Sequence, residues 1–122
     1  MATDDSLLQA DVLICDCSGV SLEYAFGTER PVLFLDVPLK VRNHRFKELG
    51  IEPLELSLRT EIGVIVPPEK LDTVPQVISA LAANSAVYKK RITKLRRQNV
   101  YAFGHSANIG AQLIINMIAK EA

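Results

Sequence analysis

Apolar positions along the chain fall into short continuous runs separated by mixed segments. ADVLIC is the first such run and predicts a buried strand over residues 11–15. Ahead of it DDSLLQ, residues 4–9, sets capping-type side chains before a short helical turn. SGVSLEYAFG then places Val20, Leu22, Ala25 and Phe26 at roughly helical spacing and ends on Gly27, a helix stop. PVLFLD, residues 31–36, is continuously apolar up to its last residue, as in a strand covered on both faces of a parallel sheet. After Pro38, LKVRNHRFKELGIEP is polar and without a clean period, which predicts a functional loop with one short helix near residues 43–49. GVIVP, residues 63–67, is a third strand. PPEKLDTVPQVISALAA follows as a helix launched by Pro68 and Glu69, with Pro75 marking a restart. Residues 85–98 align Tyr88, Ile92 and Leu95 on one seam, and ANIGAQLIINMIAK carries a broad apolar face from Ile109 through Ile118.

Strands alternating with helices predict an α/β fold, a short parallel sheet with helices on both faces in a partial Rossmann-like arrangement. Three strands are few for that class. A complete domain would have strands before residue 11, and the start Met1-Ala2 has the look of a cloning scar, so the expectation is one domain over residues 1–122 that forms the C-terminal part of a longer enzyme. An unpaired first strand predicts a homodimer or larger assembly.

Composition changes the picture in three ways. At 122 residues and 48% apolar content the chain can build one real core, and no run of 18 apolar residues or leader pattern is present, which makes the cytoplasmic side the expectation. Formal charge is zero, yet residues 1–61 carry six Lys/Arg against eleven Asp/Glu and residues 62–122 eight against three. The balanced total argues against a nucleic-acid binder, while the asymmetry predicts an oriented surface. Cys15 and Cys17 lack the spacing of a redox or zinc pair and read as buried thiols, and no metal site is expected.

The candidate chemistry lies where the first strand meets the first long helix, at Asp16-Cys17-Ser18-Gly19. N–H groups of a helix's first turn attract phosphate, Gly19 permits close backbone approach, and the Ser18 and Ser21 hydroxyls are further donors. One turn on, Glu23 is placed to accept from paired ribose or glycerol hydroxyls. Generic capping by Asp16 and Ser18 is the alternative explanation, and the Rossmann GxGxxG is absent. Arg59 is the candidate cation for a diphosphate, with a surface ion pair to Glu55 at i,i+4 as the plain alternative. His44 lies in the polar loop and His105 before the last helix. No catalytic residue is assigned.

ADVLICDCSGVSLEYAFGTERPVLFLD resembles the corresponding stretch of the CDP-glycerol glycerophosphotransferases of teichoic-acid synthesis, members of the glycosyltransferase-B superfamily. In that family the turn is Asp-Tyr-Ser-Ser. Asp16 and Ser18 match, Cys17 stands for the aromatic residue, Gly19 for the second serine, and Glu23 matches the acidic position. Between Glu23 and Pro31 this chain has one residue more than the usual pattern. Glu55, Arg59 and Gly63 resemble the family's acidic, basic and glycine positions, and Asn99, Gly104, Ser106 and Ala107 its closing motif. The chain is more distantly similar to UDP-N-acetylglucosamine 2-epimerases, with Ser18-Gly19 matching but Val20 and Tyr24 departing from that pattern.

The resemblance implies the C-terminal half of a glycosyltransferase-B fold. It would hold a nucleotide-diphosphate donor at Asp16, Ser18, Gly19, Ser21, Glu23 and Arg59, without a cofactor. The reaction implied is transfer of glycerol phosphate from CDP-glycerol to a hydroxyl of a lipid-linked polymer that reaches the site through a missing domain. This fragment alone would then be inactive. Alternatives are a domain of a UDP-sugar glycosyltransferase or of the epimerase, or a non-catalytic nucleotide-binding module. For an enzyme extending a lipid-linked polymer, the basic run KKRITKLRRQ, with Lys90, Lys94 and Arg97 on one face, suggests contact with anionic headgroups on the inner face of the plasma membrane.

Overall fold

The computed structural model describes residues 3–39, 43 and 45–121. Helix α1 (Thr3–Gln9) leads into strand β1 (Leu13–Cys15), helix α2 (Val20–Thr28) and strand β2 (Val32–Leu35). A 3₁₀ turn at Phe46–Leu49 is followed by two one-turn helices, α3 (Leu54–Ser57) and α4 (Arg59–Ile62), which run into strand β3 (Gly63–Val66). A second 3₁₀ segment, Pro68–Thr73, opens α5 (Val74–Ala83); α6 (Ser85–Asn99) and α7 (Ser106–Glu121) close the chain.

The three apolar runs pair as a parallel sheet in the order β1-β2-β3, with Leu13 opposite Val32 and Val32 opposite Gly63. Each strand is one or two residues shorter than its apolar run. Asp11 and Val12 lie before β1, Pro31 and Asp36 flank β2, and Pro67 follows β3. β2 is central, and Val32, Leu33 and Phe34 are fully buried because the sheet is covered on both sides. Val32 and Phe34 face a core shared with α2, α4 and α6, to which Tyr24, Ala25, Phe26, Ile62 and Ile92 contribute. Leu33 faces the other core, closed by Val66 and Leu81. α5 covers β2 and β3 on that second side, leaving Ile14 of β1 46% exposed.

The architecture is thus mixed α/β with a parallel sheet and helices on both faces, compatible with a partial Rossmann-like fold. Four local readings change. α2 runs through Gly27, the expected stop, to Thr28 and is closed by Glu29, whose backbone is left-handed at φ 59° and whose N–H donates to the Ala25 carbonyl. α2 buries Ser21, Tyr24, Ala25 and Phe26, so its inner face is centred one position away from a Val20–Leu22 stripe, and both of those residues are half-buried. Residues 54–62, for which no element was expected, form α3 and α4. Leu58 and Ile62, four apart, put one apolar edge into the first core. The long helix over residues 67–83 divides into a 3₁₀ segment and α5, with Pro75 in the first turn of α5, where its missing N–H costs nothing. The α6 seam is as expected, with Ile92 fully buried between half-buried Tyr88 and Leu95. The apolar face of α7, by contrast, is exposed from Leu113 to Ile118.

Candidate functional site

The carboxyl ends of β1 and β2 bring the sequence candidates to one edge of the sheet. After Cys15 the chain turns through Asp16-Cys17-Ser18, and α2 begins with Gly19 as its N-cap and no side-chain capping bond, so neither Asp16 nor Ser18 serves as a side-chain cap. The turn is held by backbone groups instead. Ser18 N–H donates to the Asp16 carbonyl at 3.2 Å, Ser21 N–H to the Ser18 carbonyl at 3.1 Å, and Glu23 N–H to the Gly19 carbonyl at 3.2 Å. Among the described residues the N–H groups of Gly19 and Val20 have no partner. These are the donors the turn offers to an anion.

The candidate side chains separate by what they touch. Ser21 is fully buried and its hydroxyl donates to the Ser18 carbonyl at 2.8 Å, so it fixes the turn from inside. Ser18 is half-buried, while Asp16, Gly19 and Glu23 are exposed. Gly19 has φ −57°, and a Cβ built there meets nothing within 4 Å. Its contribution is open space above the turn and not an unusual backbone angle. Glu23 makes no ion pair among the described residues and projects one helical turn beyond the free N–H groups.

Arg59 reaches the same edge from α4. Only 8% of it is exposed, and its Nη2 donates to Asp36 Oδ1 at 2.8 Å, so the ion pair it makes is with Asp36 and not with Glu55, the plain alternative to a ligand role. The guanidinium lies over the Phe34 ring, 5.5 Å from its centroid, and its Nε is buried without a partner. Asp36 was not among the sequence candidates. Its signal was present, a lone carboxylate ending an apolar strand where open α/β sheets bind ligands.

Electrostatics tie the two parts of the edge together. Burial pushes the Cys15 thiol up to about 11, with the Asp16 carboxylate adding to the rise and Arg59 opposing it. Cys17 is raised by burial as well; Arg59 pulls it down, while Glu55 and Asp16 push it up. Arg59, Asp16 and Glu55 therefore all act on the end of β1 and the turn after it. Both cysteines are free and their thiols stay protonated at neutral pH, in keeping with structural and not nucleophilic roles.

At the opposite edge several charged groups are committed to structure. A cavity of about 450 Å³ at the amino ends of the strands is lined by Asp11, Thr28, Glu29, Arg30, Ser85 and Lys89. There Glu29 binds Lys89 and Arg96 at 3.0 and 2.8 Å, and Arg30 donates to the Leu8 and Ala10 carbonyls. His105 sits in the turn before α7, its N–H donating to the Ala102 carbonyl and its carbonyl accepting from Ile109. His44 lies outside the described residues. Among those residues no group of His, Cys, Asp and Glu could hold a metal ion, and no helix is long and apolar enough to cross a membrane.

No protein-family model, no curated protein and no solved structure matches this chain.

Proposed function

We propose that the chain binds the diphosphate of a nucleotide-linked donor at the carboxyl edge of β1 and β2, as the donor half of a glycerophosphotransferase of the glycosyltransferase-B class. The observation that carries this reading is Arg59, a nearly buried cation with an unpartnered Nε beside a turn that presents two free N–H groups. A diphosphate supplies what both lack. The N–H groups of Gly19 and Val20 bind one phosphate, and the guanidinium neutralises the other.

Asp36 holds Arg59 in the ligand-free state. Since Asp36 is 52% exposed, the pair is worth about 1 kcal/mol, nearer to a surface ion pair than to a buried one, and a doubly charged phosphate displaces it readily. Glu23 accepts hydroxyls of the ribose or of the glycerol. In the transfer, an acceptor hydroxyl oxygen attacks the donor phosphorus, a new P–O bond forms, and the P–O bond to the nucleoside monophosphate breaks. The hydroxyl proton goes to a base from outside this edge. Arg59 and the two N–H groups stabilise charge growing on the leaving phosphate. CDP-glycerol is the proposed donor on the strength of the resemblance around Asp16, Ser18 and Glu23.

A thermal-shift and calorimetry panel of CDP-glycerol, CDP, UDP and UDP-N-acetylglucosamine tests the reading, with CDP-glycerol and CDP expected to bind. Glu23→Ala should weaken CDP-glycerol by roughly ten- to hundred-fold, the loss of one charge-assisted hydrogen-bond set worth about 1.5–3 kcal/mol. Gly19→Val should abolish binding while leaving the far-UV circular dichroism intact, because the added side chain meets only open space in the free protein. Wild-type affinity in both variants, or no binding by any of the four compounds, would sink the assignment.

A further inference from the structure

β1, α2 and β2 form one parallel strand-helix-strand unit, with the turn that presents free N–H groups at the end of β1 and Asp36 directly after the last residue of β2. Cys15 pairs with Phe34, so the turn and the end of β2 leave the sheet at the same level, on strands about 4.8 Å apart. In open α/β sheets a carboxylate in that place accepts from the ribose of a nucleotide whose phosphate sits at the neighbouring helix N-terminus, and the stretch from Gly19 to Asp36 is close to the roughly 20 residues such units use. Asp36 is exposed, and among the described residues its side chain has one partner, Arg59, whose Nη2 donates to Oδ1 at 2.8 Å. Its Oδ2 has none there.

We propose that Asp36 selects a ribonucleotide at this edge, accepting hydrogen bonds from the 2′- and 3′-hydroxyls of the ribose while the turn and Arg59 hold the diphosphate. This inference rests on the nucleotide site proposed above and extends it from the diphosphate to the sugar. Binding works by an exchange of partners. In the free protein Asp36 and Arg59 satisfy each other; an arriving diphosphate draws the guanidinium, with its unpartnered Nε, to its own oxygens. Both Asp36 oxygens then stand open as the sugar brings two O–H donors, which an acceptor-only carboxylate matches. The other carboxylates of the edge are worse placed. Of Asp16, Glu23, Asp36 and Glu55, only Asp36 touches the guanidinium among the described residues, so it alone is in contact with the group that faces the phosphate. Glu23, on α2 beyond the free N–H groups, is left for the glycerol.

Calorimetry of the full chain with CDP, 2′-deoxy-CDP and inorganic pyrophosphate tests it. The wild type should bind CDP about ten-fold more tightly than 2′-deoxy-CDP, the low end of what a charge-assisted hydrogen bond contributes, because the carboxylate is exposed. Asp36→Ala should bind the two with equal affinity. It should also hold pyrophosphate at least as tightly as the wild type does, since no carboxylate then competes for Arg59, a result that a misfolded variant would not give. Glu23→Ala should keep the ten-fold preference. Equal binding of CDP and 2′-deoxy-CDP by the wild type, a preference that survives Asp36→Ala, or one that is lost in Glu23→Ala would overturn the inference and leave the diphosphate site standing. Loss of pyrophosphate binding in Asp36→Ala would overturn it as well, because Asp36 would then serve the phosphate and not the sugar. A wild type that binds none of the three compounds would overturn both this inference and the nucleotide site.

Discussion

Cys15 ends β1 packed against the first core, and its burial, with the negative charge of Asp16 adding to it, makes ionising the thiol costly. Its pKa of about 11 in the folded chain lies above the ordinary 9.0, and burial raises the Tyr24 phenol in the same direction. A raised folded-state value favours the protonated form. The stability it contributes is complete below pH 9 and is lost as pH rises through about 11. A spectroscopic titration should therefore show one thiolate developing only toward pH 11, and Cys15→Ala should remove that late component and flatten the alkaline fall in urea stability. Full titration of both thiols near pH 9 would contradict the burial argument. Site chemistry at this scale was partly legible. The positions of Ser18, Gly19 and Glu23 on the turn and the first turn of α2 follow from strand-turn-helix order, their reading as a site rested on the resemblance, and Arg59 was singled out as a cation. Its partner was not, since Glu55 is four residues away in sequence while Asp36 is brought to it by the alignment of β2 with β3, which local spacing does not encode.

The pairing of β2 with β3 depends on Gly63. A Cβ at that position would stand 1.8 Å from the Val32 carbonyl oxygen, a backbone atom that can move only by opening the sheet. Gly63 is extended at φ −173°, so the requirement is for room and not for a left-handed angle. Gly63→Ala should cost on the order of 3 kcal/mol or prevent folding, whereas Gly27→Ala, which meets nothing within 4 Å, should be neutral or slightly stabilising as an alanine within a helix. Equilibrium urea unfolding of the two variants checks the contrast, and equal stability would refute it. The strands and the longer helices were visible as apolar runs and 3.6-residue periods. α3 and α4 were not, because one-turn helices are too short to establish a period and exist by burying Leu58 and Ile62. The exposed face of α7 was equally hidden, since an apolar stripe shows that a helix wants cover without showing whether its own chain provides it.

Across the whole molecule the net charge of zero conceals a basic helix. Lys89 and Arg96 of α6 are bound to Glu29, while Lys90, Lys94 and Arg97 are exposed and without ion pairs among the described residues. At about 1 kcal/mol per cation near an anionic surface, these three predict weak, salt-sensitive attachment to phosphatidylserine vesicles and none to neutral ones. Co-sedimentation at low and high salt measures it, and indifference to lipid charge would remove the membrane reading. Arg96 has a further consequence. It caps α2 by donating to the Phe26 carbonyl and binds Glu29, bridges that span 70 and 67 residues of chain. During synthesis at roughly 5–20 residues per second, α2 therefore waits several seconds for the group that closes its end. Until Arg96 has emerged α2 lacks that latch, and Tyr24 and Phe26, buried in the folded chain, are without their full cover.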